Sequence, residues 1–389
     1  MEIIDMDHKG NGIGKINNKV VFVPKSIPFD ECEISVIKSY KNYDIAKIDK
    51  ILKKSDKRIE ALCPYYHECG GCNISNLEYS EQLNFKEKKV KNIFKKYLGI
   101  DINPRVIGSE KELGYRNKIT YHYDNNLGLI SEFDGIIDID KCLLVSDKVN
   151  SLFRKIKEND LSKVKLVTIK ECDNGLILSV MGEINIDNLC DLCMEININN
   201  KIVYKREDGY ITLNNIRYMI SDKSFFQVNT SNICKLYNEI VRYGEFKKND
   251  KVIDLYCGVG SISLYIAKYV KSVLGIEIVE DAIKDAKENA KINKINNVSF
   301  LCGDVSKLID GNINGDTLIV DPPRIGIDEY SLNVINKSKI NKIIYVSCDP
   351  MTLVRDIKKL DNYKLCNISV VDMFPQTHHC ESITVLERR

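Results

Sequence analysis

Tryptophan is absent from the 389 residues, so any flat aromatic surface has to come from the 20 tyrosines and 11 phenylalanines. Also absent is any apolar run approaching the ~20 residues that a membrane-crossing helix requires. The first residues, MEIIDMDHKG, carry acids where an export signal would carry an apolar core. The expectation is a cytoplasmic chain with no membrane contact. Net charge is nearly missing as well, at +2, a balance that does not by itself mark a polyanion binder. No internal repeat is present.

What is there is unevenly spread. The length implies roughly two or three domains. Residues 38–58 hold eight Lys/Arg against three Asp, and KEKKVKNIFKK (86–96) holds six Lys against one Glu. Fourteen cysteines without an export signal point to thiols, metal ligands or catalytic groups rather than disulfides. Three of them, Cys63, Cys69 and Cys72, fall within ten residues, and Gly70-Gly71 permits a loop tight enough to bring sulfurs onto one metal. Zinc and an iron–sulfur cluster would accept the same thiolates once a fourth is found. A second pair, Cys190 and Cys193 in NLCDLCMEI, lies on an apolar, helix-like run and is expected in the core.

Residues 1–57 present GIGKI, KVVFVP, ECEISVIKSY and YDIAKIDKIL between Gly, Pro and Asn turns, the pattern of a small β-barrel. A loop-rich cysteine patch and a lysine-rich helix over 76–98 follow, its apolar residues being Leu83, Val90, Ile93, Phe94 and Tyr97. Residues 105–224 are strand-like, so 58–224 is expected to form a β-rich central domain, with helix 76–98 free to pack on its neighbour. From 225 to 389 strands near 251–256, 272–278, 298–302, 316–321 and 342–347 alternate with helices. This predicts a parallel α/β sheet, with an antiparallel hairpin of the last two strands closing its edge.

VIDLYCGVGSISLYIA (252–267) reads as strand, glycine loop and helix. Gly258 and Gly260 let the backbone approach a ligand, and the helix start offers free N–H groups. Glu277 ends the next strand 19 residues after Gly258, a position that suits a ribose diol. The third glycine of the dinucleotide fingerprint is missing, because position 263 is Ser. S-adenosylmethionine fits this shortened loop better than NAD. Asp304 ends the third strand within reach of an adenine edge, and Asp321 in IVDPPR ends the fourth. Enzymes that methylate exocyclic amines usually follow Asp-Pro-Pro with an aromatic residue; here Arg324 follows.

SFFQVN (224–229), DLYCGVG, DPPR, VSCDP and HHCES (378–382), in this order, resemble the RNA uridine-5-methyltransferases. KINNKVVFVP resembles the TRAM domain, an OB-like RNA-binding barrel, and the Cys63–Cys69–Cys72 spacing resembles the iron–sulfur site of the 23S rRNA members. The resemblance covers nearly the whole chain. It implies a Rossmann-like catalytic domain behind the barrel and the central domain. It makes Cys348 the nucleophile and Glu381 the general base. Gln227, Tyr256, Gly258, Gly260, Ser261, Glu277, Asp304 and Asp321 become the S-adenosylmethionine and active-site positions, with Asp321 also near the target base. Cys142 becomes the remote fourth ligand of a 4Fe–4S cluster that shapes the RNA-binding surface. His379 is expected to orient Glu381, and Cys257 and Cys380 to be packing residues. The implied partner is 23S rRNA with a flipped-out uridine, contacted by Arg116, Lys118, the basic helix and Phe225 or Phe226; no obligate protein partner is implied.

The chemistry accounts for these residue types. Carbon 5 of uracil is too weak a nucleophile until a thiolate adds at carbon 6, and a base must then remove the carbon-5 proton. A thiol with pKa near ~8.5 needs activation, and the N-terminal end of the helix starting near Met351 is expected to supply part of it. Four rival readings remain in view. The same chemistry on tRNA is one. A 5-methylcytidine enzyme would carry a second cysteine in the DPP motif, where this chain has Arg324. A radical enzyme built on the cysteines would need a C-x3-C-x2-C loop. A purely RNA-binding protein would have lost Cys348, Asp321 or Glu381.

Overall fold

The computed structural model describes residues 1–221, 225–310 and 313–389. Ser224, which opens SFFQVN and ends the expected central domain, lies outside the described residues.

The N-terminal strands β1 (Asp5–Met6), β2 (Gly12–Ile16), β3 (Lys19–Val23), β4 (Glu31–Ser39) and β5 (Tyr43–Lys53) form a sheet ordered β1-β2-β3-β5-β4. The N-terminal residues meet the start of β4: Cys32 N–H donates to Met1 O at 2.8 Å and Ile3 N–H to Asp30 O at 2.9 Å. That seam curls the sheet into a barrel around Ile3, Val21, Val23, Cys32 and Ala46.

Helix α1 (Tyr79–Leu98) follows the cysteine loop and ends at Gly99, whose φ of 70° is left-handed. Strand β6 (Arg105–Ile107) comes next. The central sheet is then built from β7 (Lys118–Asp124), β8 (Asn126–Ile130), β9 (Ile136–Asp138), β10 (Val164–Cys172), β11 (Gly175–Gly182), β12 (Glu195–Ile198) and β13 (Lys201–Lys205). Its order is β13-β12-β11-β10-β7-β8-β9, with helix α2 (Asp147–Lys157) packed on it through Val149, Leu152, Phe153 and Ile156. Cys190 and Cys193 both join this core, as expected, but from turns rather than a helix. A separate hairpin, β14 (Gly209–Leu213) and β15 (Ile216–Ile220), leads to α3 (Thr230–Gly244).

The C-terminal α/β layer alternates β16 (Lys251–Leu255), α4 (Ser261–Ala267), β17 (Ser272–Glu277), α5 (Glu280–Ile292), β18 (Val298–Cys302), α6 (Val305–Leu308), β19 (Thr317–Val320), α7 (Glu329–Lys337), β20 (Lys342–Ser347) and α8 (Pro350–Lys359). It closes with β21 (Tyr363–Val371) and β22 (Glu381–Arg388). The sheet order is β18-β17-β16-β19-β20-β22-β21-β6, parallel through β20. Strand β19 is buried along its whole length and β20 from Ile343 onward, because both faces are covered. Successive residues face opposite ways: Val252, Ile319 and Ile344 meet α3, α4 and α5, whereas Ile253, Leu318 and Ile343 meet α7, α8 and α1.

Two features depart from the sequence reading. The last hairpin does not close the sheet edge. Strand β22 inserts antiparallel between β20 and β21, and β6, from the stretch read as central domain, pairs parallel beside β21. Helix α1 packs on this α/β layer, the neighbour the sequence left it free to join, and buries Val90, Ile93 and Phe94 there, but its lysines differ from the reading. Its lysines are not one solvated face. Lys86 is fully buried and donates to Asp372 Oδ1 at 2.5 Å, with neither side chain exposed. It is therefore a structural cation and not a phosphate contact.

Lys86→Met would leave the Asp372 carboxylate buried without its cation. Unfolding free energy should fall by roughly 3–5 kcal/mol, measured by urea denaturation at neutral pH, and Lys86→Met/Asp372→Asn should recover much of it. A loss below about 1 kcal/mol would show that the pair behaves like an exposed one.

Candidate active site

The carboxyl ends of the parallel strands gather most of the residues singled out in the sequence. After β16 the chain turns through Tyr256, Gly258 and Gly260, with φ of 64°, 53° and 75°, before α4 begins at Ser261. A Cβ on Gly258 would meet nothing within 4 Å, so only its left-handed φ calls for glycine there and the space above it is open. A Cβ on Gly260 would instead strike Phe300 at 2.7 Å. Gly258 N–H donates to Glu277 Oε2 at 3.1 Å, which ties the loop to the end of β17. Ser261 Oγ accepts a hydrogen bond from Tyr237 of α3 at 2.7 Å, a contact the sequence gave no reason to single out. Gln227 is buried beside this layer, and Asn117 donates to its carbonyl at 3.1 Å. Asp304 caps α6 by accepting from Ser306 N–H and Ser306 Oγ, which lowers its pKa.

Beneath the loop, Asp254 is wholly buried. It accepts from Ser263 Oγ at 2.5 Å through one oxygen, while the other has no partner. Burial pushes its pKa up to about 7 despite the Ser263 hydrogen bonds. Asp321 faces it from the end of β19 and is also pushed up to about 7, first by desolvation and then by Asp254. Glu381, the first residue of β22, is buried and pushed well above the usual carboxylate range, by desolvation and then by Asp321.

Cys348 ends the strand next to β19. Burial, then the charge of Glu381, raises its thiol to about 12, while Arg324 opposes both by charge and by a side-chain hydrogen bond. The four groups Cys348, Asp321, Glu381 and Arg324 therefore share one crevice. Asp349 caps α8, taking the Met351 N–H at 2.8 Å, and a cation the sequence reading did not count on, Arg324, also faces the thiol. Arg324 was legible in DPPR only as a missing aromatic. Its loop is strapped to α8, with Thr352 Oγ1 donating to Arg324 O at 2.9 Å and Arg355 to Ile325 O at 2.8 Å. A Cβ on Gly326, at φ 82°, would lie 2.3 Å from Thr352 Cγ2, so this close approach requires glycine.

Among the described residues no hydrogen bond joins Glu381 to the histidine expected to orient it; the bond His379 makes is through its backbone. The His379 N–H donates to Thr377 Oγ1, its ring sits edge-on to Phe374, and burial lowers its pKa to about 4. Cys257 and Cys380 are buried, in keeping with packing roles. Phe226 is a correction: it is 8% exposed and packs on Tyr218, whereas Phe225 is 65% exposed. Of the two, Phe225 is the one whose ring is exposed.

A separate cavity of ≈ 980 Å³ is lined by Cys63, Cys69, Cys72 and Cys142 together with Arg116 and Lys118. Gly70 approaches the end of β8, its N–H donating to Ile130 O at 3.1 Å, and a Cβ there would crowd Ile130 and Ser131 carbonyls at 3.3 Å. Asn150 of α2 brackets the Cys142 backbone with two hydrogen bonds, a support the sequence did not reveal. Burial raises the Cys72 thiol to about 12 and the Cys142 thiol to about 11, and each also feels its neighbouring thiols. Lys25 donates to the Cys69 and Cys72 carbonyls, and Arg116 Nε is buried with no hydrogen-bond partner. Among the described residues no three Cys, His, Asp or Glu side chains are drawn together closely enough to hold an ion. The donor set itself, four thiols with two cations alongside, has the chemistry of an anionic metal–thiolate site. Among the described residues no helix is long and apolar enough to cross a membrane.

Comparison with known proteins places these features in context. The profile of the tRNA (uracil-5-)-methyltransferase family matches residues 193–389, and that of the TRAM domain matches residues 2–48. RNA methyltransferases of Clostridium tetani and Clostridium acetobutylicum are 33% and 34% identical, each over 99% of this chain and 95% and 96% of their own. The tRNA (uracil-54, C5)-methyltransferase of Pyrococcus abyssi, solved with S-adenosyl-L-homocysteine, superposes with a TM-score of 0.82 at 26% identity, covering 99% of both chains.

Folded-state pKa values of about 7 for Asp254 and Asp321 lie above the ~3.9 of an unfolded aspartate. Between those values these two groups hold more protons in the folded chain than in the unfolded one, so their contribution to stability is lost as pH rises from about 4 to about 7. Asp254→Asn removes one such group and should flatten that slope, measured by thermal melts without added ligand. Parallel slopes would contradict the burial of an unpaired carboxyl.

Proposed function

The chain belongs to the family of RNA (uracil-5-)-methyltransferases, and on that premise we propose that it methylates carbon 5 of a uridine in 23S rRNA through a Cys348 adduct at carbon 6. The convergence of Cys348, Arg324, Asp321 and Glu381 beside the glycine loop carries this reading. S-adenosylmethionine, held by Tyr256, Gly258, Gly260, Ser261, Glu277, Asp304 and Gln227, supplies a methyl on a sulfonium. The open space above Gly258 fits such a ligand.

Cys348 loses its thiol proton to solvent, and the Arg324 guanidinium stabilises the thiolate. Sγ bonds to carbon 6, and the electron pair of the carbon 5–carbon 6 bond moves onto the carbon-4 oxygen. The enolate pair returns to form a carbon 5–methyl bond, and the sulfur–methyl pair would stay on sulfur, leaving the neutral thioether S-adenosyl-L-homocysteine. Glu381 as carboxylate accepts the carbon-5 proton, the C–H pair restores the double bond, and Sγ departs as thiolate. A carboxyl with a raised pKa is a stronger base once ionised, which suits a carbon acid. Asp321 faces the same space and is placed to hydrogen-bond the ring. Phe225 is the aromatic available for stacking on the flipped base, with Arg116 and Lys118 as phosphate contacts.

The rRNA assignment draws on the TRAM domain and on the four cysteines, read as ligands of a 4Fe–4S cluster. A second reading, uridine 54 of tRNA, is favoured by the full-length similarity to the Pyrococcus abyssi enzyme. Labelled S-adenosylmethionine with tRNA and 23S rRNA transcripts, followed by nucleoside analysis, should give 5-methyluridine from one of them. 5-Methylcytidine, or no transfer, would overturn the reading. RNA containing 5-fluorouridine should form a denaturant-stable adduct with the unsubstituted chain and none with Cys348→Ala.

Anaerobically purified protein should carry about four iron atoms per chain and a brown colour that Cys69→Ser abolishes. Zinc in place of iron would refute the cluster and leave the four ligands.

A further inference from the structure

Glu381 stands at the loop end of the β21–β22 hairpin, opposite Val371, where the connecting loop 372–380 ends. The middle of that loop is held by residues from the other end of the chain. Gln376 adopts a φ of 71°, a left-handed conformation that a side chain disfavours. The buried amide of Gln82 engages it twice, Oε1 accepting from Gln376 N–H at 2.9 Å and Nε2 donating to Gln376 Oε1 at 3.1 Å. Nε2 also donates to Leu77 O at 3.0 Å, so one amide spans the end of the cysteine loop and the loop of the base. The Gln376 carbonyl accepts from the Asn73 and Ile74 N–H groups at 3.1 and 3.2 Å. Two residues on, His378 Nδ1 lies 2.8 Å from Asn73 Oδ1, and Lys89 donates to the His378 carbonyl at 2.9 Å.

We propose that Gln82 is a positioning residue, its amide fixing Gln376 and so the loop that sets the Glu381 carboxylate against carbon 5. The inference rests on the reading of Glu381 as the general base. Neither Cys348, at the end of β20, nor the glycine loop after β16 is carried by residues 372–380. Loosening this loop therefore spares adduct formation and methyl transfer and slows the last step. In that step the carbon-5 proton passes to Glu381, the double bond reforms and the carbon 6–sulfur bond breaks. The methylated protein–RNA adduct is the species that must accumulate.

Single-turnover reactions test this, using methyl-labelled S-adenosylmethionine and the tRNA or 23S rRNA transcript that takes up label. Quenching in denaturant separates label in the covalent adduct from label in free RNA. Glu381→Gln serves as the benchmark for a stalled adduct. Gln82→Ala should transfer methyl at close to the unsubstituted rate and release product about tenfold more slowly. Gln82→Glu, which keeps the acceptor for Gln376 N–H, should recover part of the release rate. Should Gln82→Ala fail to fold, Asn73→Ala, which cuts the His378 link alone, should show the same accumulation in smaller degree. If Glu381→Gln releases product normally, the base assignment falls and the proposal with it. If Glu381→Gln stalls while the Gln82 and Asn73 variants release at the unsubstituted rate, or slow both steps equally, the positioning role alone is overturned.

Discussion

Asp372 has no exposed surface, and its charge is met by Lys86, 286 residues earlier in the chain. Tyr79 donates to its other oxygen at 2.9 Å, and the Phe374 N–H donates to Oδ1 at 3.1 Å. Desolvation pulls the Lys86 pKa down and Asp372 holds it up, so each charge is tolerable in the interior because of the other. Much else depends on this pair. It fixes α1 to the end of β21 and thereby holds the loop that leads to Glu381. It also carries the cysteine loop, which runs directly into α1, to the rim of the active site.

The electrostatics of the crevice oppose the chemistry in its resting form. Three buried acids and a thiol are all pushed toward their protonated states, and the nearby Arg324 is exposed. If Cys348 is the nucleophile proposed above, such surroundings hold it in the thiol form. A thiol raised to about 12 is a poor target for oxidation or stray alkylation, which depend on the thiolate. On the proposed reaction, reactivity of this thiol is tied to binding of a cationic sulfonium and a polar ring beside it.

Local pattern carried much of the architecture. The four long barrel strands, the five parallel strands and the final hairpin each have a period, a turn or a glycine that marks them within a few residues. The glycine loop and the DPPR and VSCDP strand ends were readable because a parallel sheet puts all such ends on one side. Long-range placement was not readable. Three residues at 105–107 give no sign that they will pair with β21, because a short strand is specified by its neighbour and not by its own sequence. Lys86 looked like its solvated neighbours, since nothing local shows that its helix face turns inward onto Asp372. Phe225 and Phe226 alternate by a single residue, so which one is core depends on where Tyr218 packs. Arg324 acquires its role only from the fold that sets it beside Cys348.

The catalytic layer is assembled from two stretches separated by more than one hundred residues: α1 with β6, and everything from α3 onward. On a ribosome the first stretch emerges long before the second exists. The barrel contains its own core and can close at once, but Val90, Ile93 and Phe94 find their partners only when β19, β20 and α8 have been made. Strand β6 waits longer still, for β21. Until then an apolar helix face and an unpaired strand edge stand open, which favours slow, non-local completion and exposure to aggregation. Folding of the catalytic half is thus a C-terminal event, with the last strands drawing an early helix and strand into place.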